Sequence, residues 1–368
     1  MSPNEARVAD REHMARALRL AAKGLYGTDP NPRVGCVLVR GGQRVGEGWH
    51  RCSGEPHAEI VALSAAGDQA AGATAYVTLE PCSHFGKTPP CADALIQAGV
   101  TRVVVAMEDP NPLVASQGLK RLRDAGVTVE FGLLQTQAET LNPGFIQRMR
   151  TGRPYVRIKS AMSLDGRTAM DSGESRWITS PRARADVQRL RARSSAVLTG
   201  IATVLADDPS LNVRMTPEEW GGAHIRQPLR VVLDSRGRMP ADAKTLTLEG
   251  SVLVITAPGA SAPAGAEHLQ TPLGTLGLDL RAVLAALARR GLNEILVEAG
   301  PTLAGAFVAA GLADEFVIYQ APHFMGDAAR GLFHLPGLTR MEQRKALEIV
   351  EIRRVGPDLR MIARPSRV

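Results

Sequence analysis

The sequence predicts an α/β protein of two domains, and three observations carry that expectation. Its 368 residues suit two ordinary hydrophobic cores better than one. Helical and strand patterns alternate in both halves instead of clustering by type. A polar Gly/Pro break, Arg150-Thr151-Gly152-Arg153-Pro154, then interrupts the alternation after a long helical stretch. The expected domains are residues 1–150 and 151–368.

Each element follows from local pattern. Met14, Ala17, Leu18 and Ala21 recur at helical spacing, and Gly24 is placed to stop that helix. Residues 34–39 read as a buried strand, Gly41-Gly42 as a tight turn and 44–49 as the return strand. Residues 57–66 are helical and close at Gly67; 74–79 form a strand, 92–98 a short helix ending at Gly99, and 102–107 a further strand. Residues 119–124, 127–131 and 135–149 continue the series as helix, strand and long helix. In the second half strands are expected at 155–161, 196–199, 229–233, 252–255, 294–297 and 315–319, with helices at 181–193, 280–290 and 301–309. The sheets should be mixed or mostly parallel.

Composition narrows the function classes. The hydrophobic content of 44% and charge of 22% are those of a globular protein, and no apolar run reaches the roughly 18 residues of a membrane span. The first residues are charged and no apolar signal region follows, so a cytoplasmic address is expected. Four cysteines do not make a disulfide framework; they read as free thiols or metal ligands. Of the net charge of +7, residues 1–150 carry only +1 and the remainder +6. That excess suits a phosphorylated small substrate or cofactor. With 4% aromatic residues and no Lys/Arg block, stacking platforms for nucleic acid are poorly supplied.

The densest chemistry lies in Pro56-His57-Ala58-Glu59, Glu80-Pro81-Cys82 and Cys91. His57, Cys82 and Cys91 offer one imidazole and two thiolates, a three-ligand set that leaves zinc a fourth position for water. A helix start favours negative charge and would keep Cys91 as thiolate. Two thiolates cancel the charge of the ion, so the bound water needs a nearby proton acceptor, and Glu59 is the candidate. The pattern H-x-E with P-C-x-x-C marks zinc nucleobase deaminases. The alternative is a structural zinc, normally closed by four protein ligands. Cys36 reads as core within an apolar strand, Cys52 has no adjacent ligand, and His84 follows Cys82 too closely to share its metal easily.

Eight residues separate Cys82 from Cys91, longer than the usual Cys-x-x-Cys. That long form, with Asn31-Pro32-x-Val34-Gly35 before it, closely resembles the bacterial bifunctional riboflavin-biosynthesis deaminase/reductase family. The resemblance implies a cytidine-deaminase-like three-layer domain holding one zinc per chain. It implies a 2,5-diamino-6-ribosylamino-pyrimidinone 5′-phosphate substrate that loses its C2 amino group as ammonia, and a substrate-contacting role for the Asn31 segment.

The second half carries Lys159-Ser-Ala161-Met-Ser163-Leu-Asp165-Gly166, a strand ending in a turn, and Glu298-Ala-Gly300-Pro301-Thr302, a turn feeding a helix whose N-terminus can cradle phosphate. Alone, each is ordinary turn chemistry, and neither is G-x-G-x-x-G. The arginines of 181–193 read mostly as a solvated face. Together with Gly173-Glu-Ser175-Arg-Trp177 and Thr203-Val-Leu-Ala-Asp207-Asp-Pro, these segments resemble the reductase half of the same family. That half is dihydrofolate-reductase-like in fold and reduces a ribosyl group to ribityl with NADPH. By the resemblance, Ala161, Ser175, Trp177, Thr203, Asp207, Ser235 and the loop Gly300, Pro301, Thr302, Leu303, Ala304, Gly305 and Ala306 contact the cofactor. Arg191, Leu211, Arg214 and Glu298 contact substrate, with Arg191 and Arg214 expected on its phosphate. Lys159, Asp207 and Glu298 are unranked candidates for the acid that completes reduction.

The expected partner is thus a phosphorylated pyrimidine, with no nucleic acid and no membrane, and the chain is expected to be a homo-oligomer. Two rival readings are a base deaminase attached to a nucleic-acid-binding protein, and a second half that only binds a nucleotide. The near-neutral first half speaks against the former, and the retained reductase-like motifs against the latter.

Overall fold

The computed structural model describes residues 3–83, 90–112, 115–216, 219, 226–275 and 277–366. The chain divides into two compact units, Met1–Gly152 and Arg153–Val368.

In the first unit α1 (Pro3–Ala22) precedes the hairpin β1 (Gly35–Arg40) and β2 (Gln43–Trp49). Then come α2 (Ala58–Ala66), β3 (Thr74–Val77), α3 (Cys91–Gln97), β4 (Arg102–Val105), α4 (Gln117–Asp124), β5 (Thr128–Phe131), α5 (Gln135–Leu141) and α6 (Pro143–Thr151). The strand order is β2-β1-β3-β4-β5, antiparallel on both sides of β1 and parallel from β3 to β5. Gly41 and Gly42 both take positive φ, the conformation a tight hairpin turn requires.

Cys36 lies opposite Gly48 on one sheet face, while Gly35 and Trp49 share the other. A Cβ on Gly35 would run into the Ala17 carbonyl of α1, and one on Gly48 into Ala58 at the start of α2. The two helices therefore cover opposite faces, and the unit is a three-layer α/β/α sandwich. Met14, Leu20, Leu38, Val77, Leu95 and Val104 belong to its core.

The long helix expected at 135–149 is broken. Pro143 has no N–H and disfavours helical geometry at Asn142, which sits at φ −122° and ψ 41°. The break frees the Asn142 side chain to bond both main-chain groups of Arg33, at 2.8 and 3.0 Å, fastening the segment that enters β1.

The second unit is built on nine strands. Its elements are β6 (Tyr155–Met162), β7 (Arg167–Ala169), α7 (Pro181–Arg193), β8 (Ala196–Gly200), α8 (Ile201–Asp207), β9 (Leu229–Leu233), β10 (Val252–Thr256) and β11 (Glu267–Gln270). There follow β12 (Leu273–Gly274), β13 (Gly277–Leu278), helix Leu280–Arg289, β14 (Glu294–Val297), helix Pro301–Ala309, β15 (Glu315–Gln320), β16 (Arg330–Gly331), β17 (Leu347–Val355) and β18 (Asp358–Pro365). The large sheet runs β11-β10-β9-β8-β14-β6-β15-β18-β17, parallel as far as β15 and antiparallel beyond. Alternate residues of one strand feed separate cores. Leu198 and Val231 meet Val283, Leu287 and Phe307 on one face, while Val197 and Leu296 meet Val187 and Leu190 of α7 on the other.

The short strands β7, β11, β12, β13 and β16 escape the sequence reading, as do helix α8 and the terminal hairpin. Helix α8 has seven residues, too few for periodicity to declare itself. The terminal hairpin hides because almost every residue of β17 is exposed, leaving no half-buried alternation. β18 joins it to the sheet beside β15 and packs Ala363 into the core, and ion pairs add to this: Asp186 of α7 accepts from Arg353 at 2.9 Å and from Arg360 at 3.0 Å.

Candidate active sites

Three side chains converge in the first unit. His57 stands just ahead of α2 in extended conformation, so its ring projects off the helix end. Cys91 opens α3, and Cys82 lies in irregular chain beyond β3. The ligand atoms of His57, Cys82 and Cys91 lie within 4.8 Å of one another. His57 Nδ1 is 3.3 Å from Cys91 Sγ and 3.7 Å from Cys82 Sγ, and the Cys91 main-chain N–H donates to Cys82 Sγ at 3.3 Å.

The electrostatics suit a cation. The Cys91 thiol donates to Cys82, with His57 donating beside it, and this holds Cys82 at about 4 while Cys91 is pushed upward. The hydrogen bond to Cys82 raises His57. Glu59, 3% exposed, is pushed up to about 7 by burial and then by the Cys82 charge. One imidazole and two thiols on a common centre match a tetrahedral zinc set with one position open. Cys36 is buried core and Cys52 an exposed free thiol; His84 lies outside the described residues.

His50 has no motif spacing to reveal it in the sequence. It is 2% exposed and packs edge-on against His57, with ring centroids 5.4 Å apart. Its Nδ1 lies 3.2 Å from the Pro56 carbonyl and its Nε2 3.2 Å from Asn31 Nδ2. Asn31, expected at a substrate-contacting strand entry, is thereby tied to the ring that backs His57.

In the second unit, Glu298 lies just past the C-terminal end of β14, where ligands bind in open α/β sheets, and Lys159, inside the adjacent parallel strand β6, follows the residue paired with Val297. Arg191 of α7 grips Glu298 with two bonds, Nε to Oε1 at 2.6 Å and Nη2 to Oε2 at 3.0 Å, and donates to the Asn212 carbonyl at 2.9 Å. Burial opposes ionisation of Glu298, yet Arg191, with Lys159 and Arg214 beyond, holds it at about 2. Burial depresses Lys159, and the Arg191 charge adds to that against the pull of Glu298. Arg191 thus has its guanidinium committed to the protein. Arg214 is exposed and donates to Ser210 Oγ.

The other expected contacts fall in distinct environments. Ser175 Oγ donates to Asp207 Oδ1 at 3.3 Å, and Arg176 to the Asp207 carbonyl. Trp177 is exposed beneath the Arg184 guanidinium, 4.3 Å from its ring. Ala161 pairs with Tyr319, Thr203 lies within α8, and the Ser235 carbonyl accepts from Ala257 N–H. At the head of helix Pro301–Ala309, Gly300 and Thr302 are exposed, Pro301, Leu303 and Ala306 partly buried. Leu303 sits close to Gly200, bringing this loop beside α8. Ala304 is core, and Gly305 is pressed against the His334 carbonyl, so neither opens toward a ligand. The Leu211 side chain is likewise core, 1% exposed among Val187, Leu190 and Leu296.

A His/Cys/Cys centre backed by a buried glutamate on an α/β/α layer places the first unit among zinc-binding nucleobase deaminases. It matches the cytidine and deoxycytidylate deaminase zinc-binding region over residues 7–107, and the second unit matches the RibD C-terminal domain over residues 154–361. The chain is 52% identical to the riboflavin biosynthesis protein RibD of Escherichia coli (strain K12), over 95% of this chain and 98% of that protein. Among solved structures, RibD of Acinetobacter baumannii (form 1) superposes with a TM-score of 0.91 at 46% identity, covering 98% of this chain and 100% of that one. The diaminohydroxyphosphoribosylaminopyrimidine deaminase/5-amino-6-(5-phosphoribosylamino)uracil reductase of Thermotoga maritima does so with 0.87 at 32% identity, covering 98% and 100%. The chain belongs to the RibD family: a bifunctional riboflavin-pathway enzyme joining a cytidine-deaminase-type zinc domain to a dihydrofolate-reductase-like, NAD(P)H-using reductase domain.

Proposed function

We propose that the first unit hydrolyses the C2 amino group of 2,5-diamino-6-ribosylamino-4(3H)-pyrimidinone 5′-phosphate. The second unit then reduces the ribosyl group of the product to ribityl with NADPH. The convergence of His57, Cys82 and Cys91 beside buried Glu59 carries the reading.

His57, Cys82 and Cys91 would hold one zinc per chain, which supplies a Lewis acid for water activation. Glu59 takes the proton from the attacking water and returns it to the departing nitrogen, so that water and the amino group become a ring carbonyl and ammonia. Its burial suits that shuttle, because a carboxylate pushed up to about 7 can both accept and release a proton near neutral pH.

In the second unit NADPH supplies the hydride. Gly300 and Thr302, open at a helix start, would meet its phosphates, with Ser175, Asp207, Trp177 and Thr203 along the same cofactor. Opening the ribose leaves a carbon–nitrogen double bond; hydride added to its carbon shifts the π pair to the nitrogen, which must gain a proton while the carbon–nitrogen single bond stays intact. Glu298 is held as a carboxylate and is unsuited to give one. Lys159, with its ammonium form destabilised by burial, is the better donor, and Glu298 keeps it oriented. Arg214 is then the substrate-phosphate contact, and Arg191 serves by fixing Glu298. Free thiols throughout suit a reducing cytoplasm.

The purified protein, mixed with the diaminopyrimidine phosphate and NADPH, should release ammonia and then consume NADPH. Ammonia release without NADPH loss would remove the reductase half of the reading, and no ammonia from the diaminopyrimidine phosphate, by protein that still consumes NADPH with deaminated substrate, would remove the other half.

A further inference from the structure

Of the three metal-ligand candidates, Cys82 alone has no helix or strand to hold it. His57 and Cys91 stand at helix starts, whereas β3 ends at Val77 and the chain from there to Cys91 is irregular among the described residues. Two residues before Cys82, Glu80 is 4% exposed. Its Oε1 accepts the main-chain N–H groups of Gly118 at 2.8 Å and Leu119 at 3.3 Å. Its Oε2 accepts those of Ser116 at 3.0 Å and Asp109 at 3.2 Å.

Two of these donors, Gly118 and Leu119, are first-turn amides of α4, which lack partners within the helix. Ser116, at the cap position, makes no side-chain cap and donates instead to Glu108. A distant, buried carboxylate does the capping that a local serine does in most helices. Burying a carboxylate costs more than burying a hydroxyl. The gain is in what it connects: four bonds tie the chain at 80–82 to the segment running from Asp109 to Leu119. The Glu80 main-chain N–H adds a fifth, to Met107 O at 3.0 Å. On the same side, a Cβ at Gly118 would run into the Pro81 carbonyl, so the start of α4 packs directly on the residue before Cys82.

We infer that Glu80 is a positioning residue for Cys82, fixing the irregular segment so that the thiolate meets the metal in the geometry the other two ligands set. This rests on the zinc reading above. Groups that orient metal ligands commonly change metal affinity about 10–100-fold when altered.

The test uses full-length protein carrying Glu80→Gln, which keeps the shape but turns one acceptor end into a donor facing amide donors. Zinc release to a chromophoric chelator should quicken by about 10–100-fold. The visible spectrum of the cobalt-substituted protein should shift, and NADPH oxidation with deaminated substrate should stay unchanged. Gly118→Ala presses on Pro81 while leaving the carboxylate intact, and should give the same signature; it carries the test if Glu80→Gln fails to fold. A lower melting temperature with unchanged zinc release and cobalt spectrum would overturn the inference, leaving Glu80 as a stabiliser of the fold alone. A parent protein that takes up no zinc would instead sink the deaminase reading itself, so the two failures are distinguishable.

Discussion

Glu59 and Glu298 are both buried carboxylates, yet they titrate in opposite directions because their neighbours differ. Glu59 faces the Cys82 and Cys91 sulfurs, and burial dominates there. Glu298 faces the Arg191 fork, whose two charge-assisted bonds outweigh burial. Glu59→Gln should keep zinc but slow ammonia release by about 10²–10⁴-fold, the usual share of a general acid–base group. Near-normal ammonia release would show that another residue carries the proton. For Glu298 the folded pKa lies below the unfolded value of 4.5, so its stabilisation is present above that value. It is lost as pH falls from about 4.5 to about 2. Arg191→Met removes the partner and leaves a buried charge, which should cost about 3–5 kcal/mol at neutral pH. Burial would then act on Glu298 against Lys159 and Arg214 alone, so the loss of stability in acid should shrink. Denaturant titrations in mild acid and at neutrality check this, and an unchanged slope would mean the pair does not govern Glu298. The zinc ligands were legible in the sequence because His57 and Cys91 mark two helix starts and Cys82 follows Glu80-Pro81 in a recognisable motif, even though it lies in irregular chain beyond β3. The commitment of Arg191 was not, since its partner is 107 residues away and nothing on helix 181–193 distinguishes one arginine from the next.

At the level of elements, α2 must lie flush on β2 for His57 and Glu59 to reach the metal centre, and glycines permit that. A Cβ at Gly48 would collide with the Ala58 carbonyl and come within 2.6 Å of the Ala62 nitrogen; one at Gly46 would meet the Ala62 carbonyl. Gly41, in the turn of the same hairpin, faces open space and is required only for its positive φ. Gly41→Ala should therefore cost about 1–2 kcal/mol, the penalty of a left-handed backbone, and leave zinc in place. Gly48→Ala should cost about 1–3 kcal/mol of overpacking or more, and should also lower zinc content, because α2 has to move with both functional residues on it. Equal melting temperatures and equal zinc in the two variants would refute this account of β2. The strand itself was readable from the turn and its flanking pattern, but the reason for its glycines was not, because a close helix approach leaves no periodic trace in one strand. A related limit explains the hidden β17–β18 hairpin, because the exposed residues of β17 carry no alternating pattern and part of its attachment is by charges to α7.

Across the whole molecule, the uneven charge seen in the sequence, +1 in the first 150 residues and +6 beyond, follows the two chemistries. The unit that would bind a phosphorylated cofactor as well as a phosphorylated substrate carries the excess. Each unit also owns a complete core: the first surrounds Met14, Leu38 and Val104, and the second fills both faces of the nine-stranded sheet. Every group drawn into the reductase proposal, from Lys159 to Thr302, belongs to the second unit, and every group in the deaminase proposal to the first. A fragment of residues 154–368 should therefore fold alone and oxidise NADPH when given deaminated substrate, with no zinc required. Residues 1–152 should bind zinc and release ammonia without NADPH. Circular dichroism establishes folding of each piece before its assay. A well-folded second fragment that leaves NADPH untouched, while the full chain consumes it with the same substrate, would mean that the first unit supplies part of the reductase site. Restoration of activity on mixing the fragments would then identify that contribution as a binding surface, since the covalent link between the units would be absent.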